Sequence, residues 1–119
     1  MLEVRSWEKI ETEKLSSTIG RKMISGNNFT VAQVLLARDA VVPRHSHVNE
    51  QFTYILSGAL KFNFDDQESV VVHGGEVLFI PSNVPHSAVA LEDTVDLDIF
   101  APRREDWINK TDSYLRGEK

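Results

Sequence analysis

The sequence predicts an all-β fold, a double-sheet barrel with a short C-terminal tail, and three observations support this prediction. Short segments rich in β-branched and aromatic residues alternate with turn signals at the regular intervals typical of β-sandwiches and barrels. The chain before Pro102 contains no segment with convincing helical periodicity. It also contains no repeat of solenoid length and no low-complexity linker, so its 119 residues are expected to form one domain with a single core.

The strands can be placed in order along the chain. The first 28 residues have mixed polarity and weak periodicity, so we expect irregular structure with one or two short strands there. The Gly-Asn-Asn turn signal at residues 26–28 precedes the barrel core, which we place at about residues 29–102. A strand is predicted over residues 29–37, and a break at 38–40 leads into residues 41–58. Further strands are predicted over residues 61–64, 69–72, 76–80, 86–91 and 94–101.

The tail, residues 103–119, differs in character from the barrel core. Pro102 ends the last strand, and residues 105–115 are predicted to form a short helix with Trp107, Ile108 and Leu115 as its apolar contacts. We expect this helix to pack against the outside of the barrel or against a second subunit. An exposed edge strand in so small a barrel favours pairing with a second copy, so a homodimer is predicted.

Composition excludes several classes of protein. The sequence has no cysteine, which excludes disulfides, a thiolate zinc site and a thiol nucleophile. The net charge of −5 and the lack of a basic stripe argue against a nucleic-acid partner and favour a small-molecule ligand. The N-terminus is charged and lacks the apolar segment of a secretory signal, and no later run is long enough to span a bilayer. We therefore expect a cytoplasmic protein with no membrane partner.

A possible metal site begins at residues 45–51. His45 and His47 are two apart and Gln51 follows four later, so in an extended strand all three point to one face, whereas Glu50 points to the other. Imidazole and amide groups are neutral ligands, so a divalent cation bound by them keeps most of its charge for polarising a substrate. His86 follows a turn with prolines and, in a barrel, its strand can lie opposite this one. Taken alone, His45 and His47 are typical of an exposed strand edge, and His86 is typical of a structural histidine rather than a ligand.

The strand at residues 94–101 alternates strictly. One face carries only apolar side chains, and the other carries Asp96, Asp98 and Phe100. The ordinary interpretation places both aspartates in solvent. The alternative is that this face lines a pocket, because an aromatic residue among polar ones is typical of ligand sites. Asp98 or Asp96 would then be a general acid/base with a pKa raised by burial, and Arg103 or Arg104 would bind a substrate carboxylate.

Two segments resemble the motifs of the cupin superfamily. The first motif has HxH, an acidic or amide ligand, and a glycine seven residues later; the second runs from glycine to proline to histidine. The matching residues are His45, His47, Gln51 and Gly58, then Gly75, Pro81 and His86. The resemblance implies a single cupin domain over residues 1–119, a jelly-roll barrel that holds one divalent transition metal. Gln51 stands where glutamate is usual and Asn83 where glycine is usual. Nickel, zinc, iron, cobalt and manganese all suit such ligands.

A narrower resemblance covers about residues 31–107. The runs HSHVNEQFTYILSG and DIFAPRREDW are similar to those of KdgF-type cupins, which linearise unsaturated uronates released from pectin and alginate. This resemblance implies a metal set of His45, His47, Gln51 and His86 and a pocket lined by Asp98, Phe100 and Arg104. Asp98 and Arg104 would be catalytic, and Phe100 and Arg104 would contact the substrate, an acidic sugar.

Three functions therefore follow as hypotheses. The first is a metal-dependent enzyme that opens 4,5-unsaturated uronates to linear keto sugars by proton transfer. The second is a small cupin dioxygenase with iron or copper at the same histidines. The third is a non-catalytic cupin that binds a sugar or another metabolite.

Overall fold

Ten strands and one short helix form the chain over residues 2–116, the part that this computed structural model describes. The strands are β1 (Glu13–Lys14), β2 (Ile19–Ser25), β3 (Thr30–Leu36), β4 (Val41–His45), β5 (Glu50–Ser57), β6 (Ala59–Phe64), β7 (Val70–His73), β8 (Val77–Ile80), β9 (His86–Ala90) and β10 (Thr94–Ala101). The helix is α1 (Glu105–Ile108), and 3-10 turns lie at Trp7–Lys9 and Ser113–Leu115. One or two short strands were predicted within the first 28 residues, and β1 and β2 lie there.

The strands form two antiparallel sheets that face each other. The larger sheet has the order β1-β2-β3-β10-β5-β8, and the smaller has the order β4-β9-β6-β7. Their inner faces enclose one apolar core to which Ile55, Leu60, Phe62 and Ile80 contribute, each at most 3% exposed. The double-sheet, all-β prediction is therefore confirmed. No helix among residues 2–116 is both long enough and apolar enough to cross a membrane.

Alternation along the strands places polar groups inside the barrel as well as apolar ones. In β5, Gln51, Thr53 and Ile55 are buried and their neighbours are more exposed. In β10, Asp96 and Asp98 are buried on the face that they share with Phe100 (Thr94 is also buried there). The prediction that this face of the strand points into the barrel is therefore confirmed. The interpretation that places both aspartates in solvent is wrong.

The chain changes sheets between β4 and β5. His45 ends β4 in the smaller sheet, Gln51 lies in β5 of the larger sheet, and His47 lies in the connection between them. The expectation of one continuous strand through all three residues is therefore wrong, although their side chains do converge. His86 begins β9, which pairs with β4 so that His86 is opposite His45. These two strands are neighbours in one sheet rather than opposite walls of the barrel.

The tail differs from the predicted helix in length and position. Helix α1 spans only Glu105–Ile108, because Lys110 adopts a left-handed conformation with φ 59° and the amide of Thr111 donates to the carbonyl of Asp106 at 2.8 Å. This arrangement ends a helix. Trp107 and Leu115 are buried in the main core rather than on the outside of the barrel. Residues 117–119 of the predicted tail lie outside the described part of the chain.

Candidate metal centre

Three histidines converge at one end of the barrel. One ligand atom from each of His45, His47 and His86 lies within 4.8 Å of the other two. The ring centroids are 4.3 Å apart for His45 and His86, and 5.2 Å apart for His47 and His86. The cross-strand pairing of β4 with β9 positions two of these imidazoles, and the connection between the sheets brings in the third.

A backbone carbonyl orients each imidazole. Nδ1 of every ring contacts a carbonyl oxygen two residues away in the chain. The contacts are His45 with Pro43 at 2.7 Å, His47 with Asn49 at 3.0 Å, and His86 with Val84 at 2.8 Å. When Nδ1–H donates to the carbonyl, Nε2 keeps its lone pair for a metal, which is the usual arrangement around a metal-binding histidine.

Burial keeps the imidazoles neutral. Desolvation, together with repulsion from the other imidazoles, lowers the pKa of His45 to about 4. Desolvation and the positive charge of Arg104 lower the pKa of His47 to about 4, and desolvation also lowers the pKa of His86. All three rings are therefore uncharged at neutral pH, the form in which imidazole binds metals.

Gln51 completes a set of four groups that fits a cation. Its Oε1 lies 3.1 Å from Nε2 of His47, and its side chain is buried, whereas neighbouring Glu50 is exposed. A neutral His47 carries one ring N–H, yet both of its nitrogens contact oxygen acceptors, Asn49 O and Gln51 Oε1. A cation between the lone pairs of His47 Nε2 and Gln51 Oε1 removes this conflict. The residues present therefore fit a metal.

Thr53 connects this centre to a buried carboxyl. Gln51 Nε2 donates to Thr53 Oγ1 at 2.8 Å, and Thr53 Oγ1 donates to Asp98 Oδ1 at 2.8 Å. Thr53 lies opposite Asp98 in the pairing of β5 with β10. Thr53 was not predicted as a site residue, although its position two residues after Gln51 in an alternating strand indicates that it faces inward.

Asp96 and Asp98 form a coupled pair of buried carboxyls. Desolvation raises the pKa of Asp96 well above its ordinary value, and the negative charge of Asp98 raises it further. Desolvation also raises the pKa of Asp98, although hydrogen bonds from Asp96 and Thr53 and the charge of Arg104 oppose the rise. Asp96 is therefore the more readily protonated of the two, and its Oδ1 has no hydrogen-bond partner within residues 2–116.

Arg104, rather than Arg103, faces the interior. Its guanidinium carbon lies 4.6 Å from the ring centroid of Phe100, and its side chain is 1% exposed. Arg104 Nε and Nη2 donate to the carboxylate of Asp106 at 3.0 and 2.9 Å. Arg103 lies at the surface and pairs with Glu105. Phe100 is buried with its ring centroid 5.7 Å from that of His47, so the two predicted substrate-binding residues lie together beside the centre.

Tyr114 is a second residue of the site that was not predicted from the sequence. Its ring stacks on His45 with centroids 4.3 Å apart, and its hydroxyl accepts a hydrogen bond from Arg104 Nη2 at 2.9 Å. Tyr114 also lines a cavity of about 50 Å³ beneath the centre, together with Gln51 and Asp98. No motif includes a position this far along the tail, so no sequence signal marked it.

Solved structures resemble this one over most of its length. KdgF from Halomonas sp. is 27% identical, with a TM-score of 0.78 over 84% of this chain and 93% of that chain. An RmlC-like cupin from Shewanella frigidimarina is 25% identical, with a TM-score of 0.82 over 90% of this chain and 96% of that chain. These likenesses extend beyond the barrel core to parts of the flanking segments.

Curated relatives include 3-hydroxyanthranilate 3,4-dioxygenases. The Neurospora crassa protein is 23% identical over 116 residues, which cover 95% of this chain and 64% of that protein. The Aspergillus niger protein is 26% identical over 81 residues, which cover 62% of this chain and 43% of that protein. The chain thus spans less than two thirds of the length of either relative. The model of the cupin domain family matches residues 32–101, more than half of the 119 residues, and the chain therefore belongs to the cupin family.

Proposed function

We propose that the chain is a metal-dependent enzyme that opens 4,5-unsaturated uronates to linear keto sugars. The observation that carries this proposal is the pair of hydrogen bonds that runs from Gln51, whose Oε1 lies 3.1 Å from His47 Nε2, through Thr53 to Asp98. It connects a centre suited to a metal with a buried carboxyl suited to proton transfer. The likeness to KdgF of Halomonas sp. supports the same reaction.

The reaction is an isomerisation that needs proton transfers and no second substrate. A divalent metal bound at the centre supplies Lewis-acid polarisation of a substrate oxygen. Asp98 takes the proton of the anomeric hydroxyl while the bond from C1 to the ring oxygen breaks, which leaves an aldehyde at C1 and an enolate at C5. Asp98 then returns the proton to C4, and the enolate becomes a ketone. Because burial raises its pKa, Asp98 suits both the acid and the base role.

Arg104 and Phe100 would hold the substrate. A guanidinium is permanently charged and can form paired hydrogen bonds to the uronate carboxylate. The ring of Phe100 offers an apolar wall for the sugar beside the centre. The proposed metal ligands are His45, His47, Gln51 and His86, and the metal is nickel, zinc, iron, cobalt or manganese.

The decisive variant is Asp98→Asn. We expect its turnover of an unsaturated monouronate to fall at least about 100-fold, the typical contribution of a general acid/base, while its metal content stays unchanged. Turnover is followed by the loss of absorbance of the conjugated enol, and metal content by elemental analysis. Asp66→Asn, which alters an exposed loop, is the matched control. Unchanged turnover of Asp98→Asn would refute the role of Asp98.

A second candidate function is dioxygenation, which the similarity to 3-hydroxyanthranilate 3,4-dioxygenases favours. The same histidines would hold iron. Oxygen uptake by the iron-loaded protein with 3-hydroxyanthranilate, measured with an oxygen electrode, would support this function. Turnover of the unsaturated uronate without oxygen uptake would support the first.

A further inference from the structure

The groups that the proposed function assigns to the substrate are covered. Asp98, Phe100 and Arg104 are 6%, 2% and 1% exposed. The cavity that reaches them has about 50 Å³ of free volume, which suffices for a few water molecules. Pockets for small organic ligands are typically about 300 to 1,000 Å³. A hexuronate carboxylate therefore cannot reach Arg104 in this arrangement, and part of the structure must move.

Tyr114 is the side chain that covers Arg104 and the centre together. Its ring lies against His45, and its hydroxyl accepts hydrogen bonds from Arg104 Nη2 at 2.9 Å and from Trp107 Nε1 at 3.4 Å. The phenol oxygen thus occupies a position at which a substrate carboxylate could accept from the same guanidinium. Removing Tyr114 would free this Nη2 donor of Arg104 and uncover one face of His45, while Phe100 and Trp107 would still flank the guanidinium.

The segment that carries Tyr114 is attached to the barrel through side chains. Within the described chain, the backbone hydrogen bonds of residues 109–116 are all to other residues of the tail, and no strand pairs with them. Three ion pairs link the segment to β1 and β2, namely Asp112 with Arg21 at 2.7 Å, Arg116 with Glu13 at 2.7 Å and Lys110 with Glu13 at 2.9 Å. Lifting the segment therefore breaks no sheet hydrogen bond, although it separates these ion pairs and withdraws Leu115 from the core.

We propose that Tyr114 is a specificity-determining residue: residues 109–116 form a lid, and an anionic substrate opens it by replacing the Tyr114 hydroxyl as an acceptor from Arg104. This inference rests on the proposed function and deepens it. A carboxylate accepts a stronger hydrogen bond from a guanidinium than a neutral phenol does. A neutral sugar gains no such advantage, so the exchange selects acidic substrates.

The experiment uses Trp107 as the reporter, because it is buried and its Nε1 lies 3.4 Å from the Tyr114 hydroxyl. The sequence has two tryptophans, so a Trp7→Phe background isolates its fluorescence. The protein is loaded with zinc, which has a filled d shell. We expect galacturonate, but not galactose, to increase quenching of Trp107 by acrylamide.

Tyr114→Ala removes the phenol that occupies the Arg104 donor, whether or not the ion pairs of residues 109–116 stay in place. We expect it to be quenched more strongly without ligand and to bind galacturonate about tenfold or more tightly than the parent, because the ligand then displaces nothing from a site that is open about 10% of the time or less in the parent. Tyr114→Phe keeps the ring but loses the hydroxyl. Its quenching and its galacturonate affinity should lie between those of the parent and those of Tyr114→Ala. Phe29→Ala, which removes a 55% exposed aromatic ring outside the site, is the control and should match the parent.

The outcomes separate the lid from the reaction. Equal galacturonate affinity in Tyr114→Ala and the parent, with equal quenching, would refute the lid even if uronate turnover is observed. Galacturonate binding that is tighter in Tyr114→Ala, without turnover of unsaturated uronate by the parent, would refute the reaction and support the lid. Failure of galacturonate to bind to either protein would refute displacement by an acidic sugar.

Discussion

Gln51 supplies an uncharged oxygen to the centre, where a glutamate would supply a negative charge. With three neutral imidazoles around it, a bound cation would keep its full formal charge for polarising a substrate. Gln51 also donates to Thr53, which a carboxylate cannot do. The residue therefore affects both the metal and the path that leads to Asp98.

Gln51→Glu is expected to separate metal binding from turnover. A carboxylate binds cations well, so metal content should be unchanged. Turnover should fall about 10- to 100-fold, the usual effect of disturbing the groups around a metal site, because the charge of the metal is partly neutralised and the bond to Thr53 is lost. Elemental analysis and the enol assay measure the two effects. Glu50→Gln at the exposed neighbouring position is the control, and full activity of Gln51→Glu would contradict the prediction.

Asp96 makes the barrel less stable as the pH rises. Burial raises its pKa, so between pH 4 and that raised value the folded protein binds more protons than the unfolded chain. Stability then falls with rising pH by up to about 1.4 kcal/mol per pH unit for one proton. Asp96→Asn cannot ionise at this position and should melt at a higher temperature than the parent. The difference between the two melting temperatures should be larger at pH 8 than at pH 5. A constant gap, such as we expect for Asp66→Asn, would contradict this prediction.

At the scale of elements, the strands could be predicted and the details of their connections could not. Side-chain alternation and turn residues located the strand over residues 94–101 at its observed bounds, because these signals are local. The change of sheet between His45 and Gln51 was missed, because alternation continues whichever sheet a strand joins. The predicted helix was too long, because the left-handed conformation of Lys110 depends on its surroundings and is unusual for lysine.

Glu13 joins the tail to the first strands. It pairs with Arg21, Lys110 and Arg116, and although partial burial opposes the shift, these hydrogen bonds lower the pKa of Glu13 to about 2. The tail is therefore held by a cluster of charges around one carboxylate.

Glu13→Gln should lower the melting temperature at pH 7, because the stabilisation from a depressed carboxyl pKa is fully present above the unfolded value. The stabilisation disappears as the pH falls from about 4.5 toward 2, since the folded protein must then take up the proton. The difference between variant and parent should shrink over this range in thermal melts followed by circular dichroism. Glu11→Gln at an exposed position is the control, and a difference that is independent of pH would argue against the ion pairs.

At the scale of the whole molecule, the larger sheet has an apolar outer face. Phe52, Tyr54, Val77 and Phe79 lie on β5 and β8 and are 37 to 58% exposed, and the rings of Phe52 and Phe79 lie 5.1 Å apart. Strand β8 is an edge of this sheet. Exposed apolar patches of this kind often mark contacts between subunits.

The homodimer proposed from the sequence would use this face. Phe79→Lys is expected to convert a dimer to a monomer in light scattering after size-exclusion chromatography, because a buried unpaired ammonium would oppose association. Val41→Lys, which alters a 59% exposed residue of the smaller sheet, should remain a dimer. If the parent is a monomer, or if Phe79→Lys remains a dimer, the proposal that the homodimer forms through this face would be refuted.

The predicted ligand and pocket residues come together, while Thr53 and Tyr114 were missed. Motif spacing located the histidines and Gln51, since the chemistry of a metal site requires those residue types. The sequence carries no comparable mark for a hydroxyl that only orients another side chain, or for a tail residue brought in by long-range packing. The groups that would bind a metal were therefore easier to predict than those that would support or cover it.

The direction of the hydrogen bond between Gln51 and Thr53 has an evolutionary consequence. A carboxylate presents an oxygen whichever way it turns, whereas a rotated amide would present nitrogen and lose its affinity for cations. Thr53 donates to Asp98, so its oxygen is left to accept the amide N–H and thereby fixes the rotation of Gln51. An ancestor with glutamate at position 51 would have been free to vary position 53. In lineages that carry the amide, we expect substitutions at these two positions to be correlated.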